Sequence, residues 1–316
     1  MITPSPRYER NLILVHTPNL QAVSDFHGIK DRLAERAPDI EVFIVENYAR
    51  HSVTRRQAAG RPTLIFSPVK LREFTPLRGR IRDSTGRMPK LDEILHLAAG
   101  GVRVPRSALV TPETRLDPAV WGPFTVLKPD PGFQGRGVRL VRTRDVRWVD
   151  PQSWPADDPR HGNRILAQAF IDTGPCPAVY RVMTVFGRAV YATLSQTTVP
   201  RIDLDPAGSD PVDIPIAATV GERKLEMSYD AEVIAFAESV YPAMPEAAVQ
   251  GVDVVREAAT GLLYVVEINP SGLTWHISSN LGKMRMRDWN VDFNAQFGAL
   301  DIIADALIEA TRREAE

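Results

Sequence analysis

The sequence predicts a mixed chain in which a small parallel α/β unit leads into a longer portion of paired strands and separate helices. Three observations predict it. Apolar runs of strand length occupy Asn11–His16, Val42–Val45 and Pro62–Phe66, and a helical segment from Gln21 to Arg36 separates the first two. Further on, β-branched and apolar runs recur in pairs across short turns, as in Tyr180–Phe186 and Ala189–Ser195 around Gly187–Arg188. The third is a hairpin pattern from Val249 to Trp275 that gathers acidic and amide side chains among apolar ones.

The totals bound the function. The 316 residues suffice for two or three domains, and a 44% hydrophobic content supports well-buried cores. A net charge of −1 creates no global field to recruit nucleic acid or an anionic membrane, so neither is expected as a partner. The segment MITPSPRYERNLILVH has a short apolar run with no small-residue cleavage site, and the longest apolar stretches are strand-length. The expectation is a chain without signal peptide or membrane span. The lone Cys176, in the turn-like GPCPA, suits a reducing cytoplasm and reads as a bystander thiol. Basic residues are skewed to arginine, which makes a strand-borne lysine worth asking about.

Taken in order, the first strand is followed by no G-x-G-x-x-G, so the α/β unit reads as a source of substrate contacts or packing rather than a dinucleotide site. Arg72–Asp83 reads as irregular or edge structure. Lys90–Ala99 (KLDEILHLAA) has apolar residues at 91, 94, 95, 97, 98 and 99 and closes on Gly100–Gly101, which predicts a helix with Lys90 at its start. Phe124–Pro129 predicts a strand with Lys128 near its end, and Val138–Val141 the returning strand. Between them Asp130–Gly137 carries Gly132, Gly135 and Gly137, whose backbone amides can approach a ligand closely; the pattern fits a phosphate cover or an ordinary hairpin loop. The P-loop pattern fails, with Val138 where lysine is required.

Trp148–Gly162 is a proline-rich surface connection, and Ile165–Ile171 a strand ending in Asp172. Thr197–Glu222, poor in large apolar residues, predicts a long ordered loop. Tyr229–Tyr241 and Ala295–Ala310 predict helices, the second amphipathic. In the hairpin, Val249–Val255 and Leu262–Ile268 are strands joined by Arg256–Gly261. Glu267 and Asn269 are two apart and share a face, with Asp253 able to come alongside. Two carboxylates and an amide oxygen among apolar residues suit Mg²⁺, which takes oxygen ligands and completes its shell with water and phosphate; they also fit the solvent face of a half-exposed hairpin. Trp275, His276, Trp289 and Phe293 follow, His276 reading as packing or support rather than a base. No zinc pattern and no G-x-S-x-G elbow is present.

The order of these features is a lysine at a helix start, V-L-K-P, a glycine-rich loop, A-Q-A-F-I-D, Y-R-V, G-V-D and E-I-N-P. Over residues 85–310 this resembles the ATP-grasp superfamily, the group that includes glutathione synthetase, D-alanine–D-alanine ligase and the ribosomal-protein glutamate ligases. The resemblance implies a pre-ATP-grasp α/β domain (1–87), a small lid subdomain (88–164) and a large subdomain with the metal site (165–316), the last two α+β with ATP between them. It implies that Lys90 and Lys128 contact phosphates, that Gly132, Gln134, Gly135 and Gly137 belong to a loop closing over them, and that Gln168, Ala169, Phe170 and Ile171 read adenine. Asp172 would take the ribose hydroxyls. Asp253, Glu267 and Asn269 would hold Mg²⁺, with Mn²⁺ as an alternative, and Arg181 would act with Lys128 on the transferring phosphoryl group.

Two positions depart from the family pattern: Ala169 stands where an acidic residue is frequent, and Gly251 where some ligases carry an arginine. The first leaves the purine to backbone groups and Gln168; the second leaves Arg181, Arg201 or Arg223 to stabilise the intermediate. The implied reaction activates a carboxylate, on a small molecule or peptide, as an acyl phosphate that an amine then attacks. A kinase acting on a hydroxyl, or a nucleotide-binding module without catalysis, are the alternatives. Arg80, Arg82, Arg201 and Ser271–His276 are the candidate substrate contacts.

Overall fold

Each of the three leading apolar runs forms a strand of one parallel sheet. The computed structural model describes residues 8–47, 60–71, 79–84, 88–132, 135–216, 221–270 and 275–316. Strands β1 (Arg10–His16), β2 (Ile40–Glu46), β3 (Thr63–Phe66) and β4 (Arg80–Arg82) lie in the order β2-β1-β3-β4, all parallel. Side chains alternate between two cores: Leu12, Leu14, Leu64 and Phe66 pack with helix α1 (Val23–Arg36), whereas Ile13, Val15, Val45 and Ile65 form a cluster of their own. Burial of both faces explains the unbroken apolar runs. Of the segment expected to be irregular, Arg80–Arg82 is the edge strand and residues 72–78 lie outside the described residues.

Helix α2 (Lys90–Ala99) begins and ends where the sequence predicts. It is followed by β5 (Ser107–Leu109), a short helix α3 (Pro118–Trp121), β6 (Phe124–Asp130), β7 (Arg139–Arg142) and β8 (Arg164–Ala169). Next come β9 (Ala178–Val185), β10 (Arg188–Thr197), β11 (Asp213–Pro215) and β12 (Arg223–Met227). Helix α4 (Ala231–Glu238), β13 (Val249–Arg256), β14 (Leu263–Asn269), α5 (Asn280–Trp289) and α6 (Ala299–Glu314) complete the described chain.

Two antiparallel sheets result. The lid sheet runs β11-β7-β6-β8-β5 and packs Phe124, Val126 and Leu140 against Phe170 and Ile214. It crosses the expected division at 164/165, because β8 pairs with both β6 and β5 while β11 joins from the far side of the large sheet's hairpin. Local periodicity cannot announce such non-local pairing. The long loop thus surrenders a strand to the lid, where Arg142 holds its return by donating to Asp205 O at 3.0 Å.

The large sheet runs β12-β10-β9-β13-β14. The β9–β10 hairpin turns through Phe186 (φ 48°) and Gly187 (φ 79°), the two positive angles that suit a tight hairpin turn matched to strand twist. One face of the sheet packs Val182, Val252 and Val254 on Leu97 of α2 and Val233 and Ala237 of α4. The other packs Met183, Val185 and Tyr191 on Trp275, Phe293 and the α6 residues Ile303 and Leu307, in a core that continues into Leu12, Phe26 and Phe66. The N-terminal sheet and the large sheet therefore share one core.

Three helices depart from expectation. The final helix starts four residues late, since Asp292 accepts from the Asn294 and Ala295 amides and Gly298 takes a left-handed φ of 73° just before α6. Helix α5 was not foreseen; Ser279 caps it by accepting from Gly282 N, and Asn290 closes it in the left-handed conformation. Tyr229–Tyr241 is helical only over α4, capped by Asp230. Among the described residues no helix is long and apolar enough to cross a membrane.

Candidate active site

Strand register brings the predicted metal ligands together. Asp253 on β13 is the cross-strand partner of Glu267 on β14, Gly251 is the partner of Asn269, and on its other side Asp253 faces Arg181 of β9. Arg181 grips Asp253 with both arms, Nη2 donating to Oδ2 at 2.6 Å and Nε to Oδ1. Asn269 Nδ2 donates to the same Oδ2 at 3.3 Å, which leaves its own Oδ1 as a further acceptor. From the start of α2, Lys90 Nζ reaches Glu267 Oε1 at 3.0 Å. Three residues along that helix, Glu93 Oε1 accepts from the Ile268 amide at 2.8 Å, between the two β14 ligands.

Electrostatics follow from burial and these pairs. Burial pushes Glu267 up, but Lys90, Lys128 and Arg181 outweigh it and hold its carboxyl below the usual value. Burial wins at Asp253, raising it despite Arg181. Glu93, backed only by one amide, is pushed up to about 7 by burial. Burial draws the Lys128 ammonium down to about 8, with Glu267 opposing. Opposite charge favours ionisation and desolvation disfavours it, so the sign at each group records which is stronger there.

Lys128 and Lys90 line one cavity of about 620 Å³ between the lid and large sheets, together with Gly132, Gly135, Ala169, Phe170 and Ile171 from the lid side and Arg181, Asp253, Glu267 and Asn269 from the large sheet. Gln168 also lines it, yet its amide is committed: Oε1 accepts from Lys128 at 2.6 Å and Nε2 donates to Ser107 at 3.2 Å. It positions the lysine rather than offering itself to a purine. Ala169 and Phe170 spend their amide hydrogens on Arg106 O and Phe124 O.

Several expectations are placed differently. Gly137 lines a second cavity, and a Cβ there would lie 2.8 Å from Pro159 and 2.9 Å from Pro129, so packing accounts for this glycine. Asp172 is turned to Arg201, whose Nη2 meets both carboxylate oxygens at 2.8 Å. Arg80 and Arg82 point away: Arg82 bonds Tyr241 Oη at 2.7 Å and pairs with Glu314, and neither lines the cleft. Gln134 and Ser271–Thr274 lie outside the described residues. Arg285 of α5, unanticipated, lines the cleft beside His276. Its signal was the serine-capped S-S-N-L-G-K start of a polar helix.

The donor set fits a magnesium ion. Among the described residues no three His, Cys, Asp or Glu side chains converge, so a closed protein cage is absent. Two carboxylates and one amide beside open cavity are what an ion that keeps water and phosphate oxygens requires.

No family model matches the chain and no curated protein matches it. Among solved structures, the ATP-grasp ligase PsnB complexed with minimal precursor, Mg and ADP aligns over 96% of this chain and 98% of its own, at 15% identity and a TM-score of 0.51. The chain has the ATP-grasp fold. The D-cycloserine synthetase DcsG aligns over 95% and 99% at 15% identity, TM-score 0.46, and a D-alanine–D-alanine ligase from Bacillus anthracis over 96% and 98% at 15%, TM-score 0.44. The two antiparallel sheets form two jaws, and the cavity lies between them.

Proposed function

We propose that this chain is an ATP-dependent ligase that activates a substrate carboxylate as an acyl phosphate and transfers the acyl group to an amine. The observation that carries the reading is the meeting of three pairs, Lys90 with Glu267, Lys128 with Gln168 and Arg181 with Asp253, in one cleft between two jaws. PsnB, which shares the fold, is described with Mg and ADP, and the residues gathered here suit the same pair of ligands.

Lys128, fixed by Gln168, holds a phosphate oxygen as a point charge. Lys90 and Arg181 balance Glu267 and Asp253 here, and become free to meet phosphoryl oxygens once a divalent ion takes over that balance. Bound Mg²⁺ supplies neutralisation of charge developing on the transferring group. Gly132 and Gly135 let backbone approach the phosphates and shut out water. Activation as a mixed anhydride needs no protein nucleophile, which agrees with a cleft lined, among the described residues, by no serine or cysteine.

Calorimetry of ATP with Mg²⁺ tests the site before any substrate is known. The full chain binds, and Lys128→Ala binds at least tenfold more weakly, about 1.4 kcal/mol. Equal affinity in the variant, or no binding by the wild type, overturns the reading. Once a carboxylate and amine pair is found, Glu267→Ala abolishes substrate-dependent ADP formation with its fold intact; an active variant refutes the metal assignment.

A further inference from the structure

Of the five arginines that line the cleft, two are spoken for by carboxylates: Arg181 by Asp253 and Arg201 by Asp172. Among the described residues three that line it are not: Arg136 of the glycine-rich loop, which has no fixing partner either, and Arg223 and Arg285. Among the described residues neither Arg223, at the start of β12, nor Arg285, in α5, meets an acidic side chain.

Both are nevertheless held in place, by neutral partners. Arg285 Nη1 lies 2.8 Å from His276 Nε2. A guanidinium can only donate, so Nε2 accepts, and the buried imidazole stays neutral with its hydrogen on Nδ1. Arg223 lies over the Trp289 ring, 4.7 Å from its centroid. Trp289 stands four residues after Arg285 on α5, so one helix face orients both cations. A neutral support fixes direction while leaving the charge uncompensated, which is the opposite of what a structural ion pair does. Burial depresses both guanidiniums, and Arg181 nearby depresses them further, as expected of cations lacking an anion.

The sheet also sets Arg223 apart from Asp253, with the strand bearing Arg181 between them. In the order β12-β10-β9-β13-β14, the strand bearing Arg223 is three steps from the one bearing Asp253. At about 4.8 Å per step the strands are about 14 Å apart, room for a substrate between a reacting end and a recognised end.

We propose that Arg223 and Arg285 bind a second carboxylate of the substrate that is activated, so that this substrate is an acidic one carrying a carboxylate beyond the one that reacts. Calling the occupant the activated substrate rests on the ligase reading, whereas the two guanidiniums attract a dicarboxylate whatever the reaction.

The test is calorimetry of the full chain, with and without MgADP, using glutarate, adipate and suberate against butyrate. At least one dicarboxylate binds tenfold or more tightly than butyrate. The double variant Arg223→Met with Arg285→Met loses that preference while keeping a cooperative thermal transition and an MgADP affinity within threefold. The pair Arg223→Lys with Arg285→Lys, which keeps the charge, retains part of the preference and guards against a misfolded methionine variant. No preference in the wild type, or a preference that survives in the methionine variant, overturns the proposal. So does inorganic phosphate binding in place of the dicarboxylates with loss in the same variant. Failure to bind MgADP counts against the ligase reading alone, because the dicarboxylate comparison is also read without nucleotide.

Discussion

Lys128 shows how a single side chain is tuned by what encloses it. Burial between the jaws draws it down to about 8, and Gln168 accepts one of its hydrogens at 2.6 Å. If the ammonium holds a phosphate, ATP binds the protonated form only. The association constant then stays level below pH 8 and falls about tenfold for each further pH step, well before an ordinary lysine near 10.4 would titrate. Calorimetry from pH 7 to 9.5 reads this, with Lys128→Ala as the flat reference; a level wild-type profile removes Lys128 from the phosphates. The lysine was legible in the sequence, being one of few and sitting in V-L-K-P, but its partner was not. Gln168 reads as a base contact until the structure shows both halves of its amide engaged.

At the scale of elements, α2 and β14 act as one unit. Strand β14 is an edge strand, so alternate amides lack a sheet partner, and Glu93 supplies the acceptor for Ile268 while Lys90 reaches Glu267. Glu93→Leu strands a buried N–H at a cost of about 1–3 kcal/mol. It also loosens the two ligands flanking that amide, so urea unfolding and ATP affinity weaken together. Glu93→Gln, which keeps the acceptor oxygen, preserves most of both; equal losses in the two variants would show that the acceptor is not what matters. The helix itself was fully legible, because its apolar spacing and glycine stop are local. Glu93 was passed over because its target lies 175 residues away. Helix α5 escaped for the converse reason: it is polar, offers little apolar stripe, and is fixed by its caps and by the cleft it borders. The β13–β14 pairing was legible through the turn between the strands, whereas β11 joining the lid depends on contacts no local pattern encodes.

The whole molecule is held by a core shared between the N-terminal sheet and the large sheet, and one buried carboxyl couples that junction to pH. Asp25 of α1 accepts from Trp275 Nε1 at 3.2 Å and from Ser278 Oγ, tying the first unit to the segment that leads into α5. Burial pushes its carboxyl from the ordinary 3.8 to about 6, more than the Trp275 bond can offset. Since the folded state holds this proton more tightly than the unfolded chain does, its contribution to stability is complete below about pH 4 and is lost as pH rises through 6. A tenfold change being worth about 1.4 kcal/mol, the loss amounts to about 3 kcal/mol. Glu93, raised to about 7, acts with the same sign. His276 opposes them: burial, aided by Arg285, lowers it to about 3, so the unfolded chain takes up its proton first and stability falls as pH drops from 6.5. The wild-type curve is therefore a broad compromise, and Asp25→Asn isolates one arm of it. Asparagine can still accept from Trp275 or Ser278 but carries no charge to bury. Urea unfolding between pH 4.5 and 7.5 should show the variant gaining on the wild type by about 2 kcal/mol towards neutral pH, the remainder having been lost below pH 4.5. Curves that run parallel across that range would mean that Asp25 is solvated in solution and that the junction does not carry the buried charge.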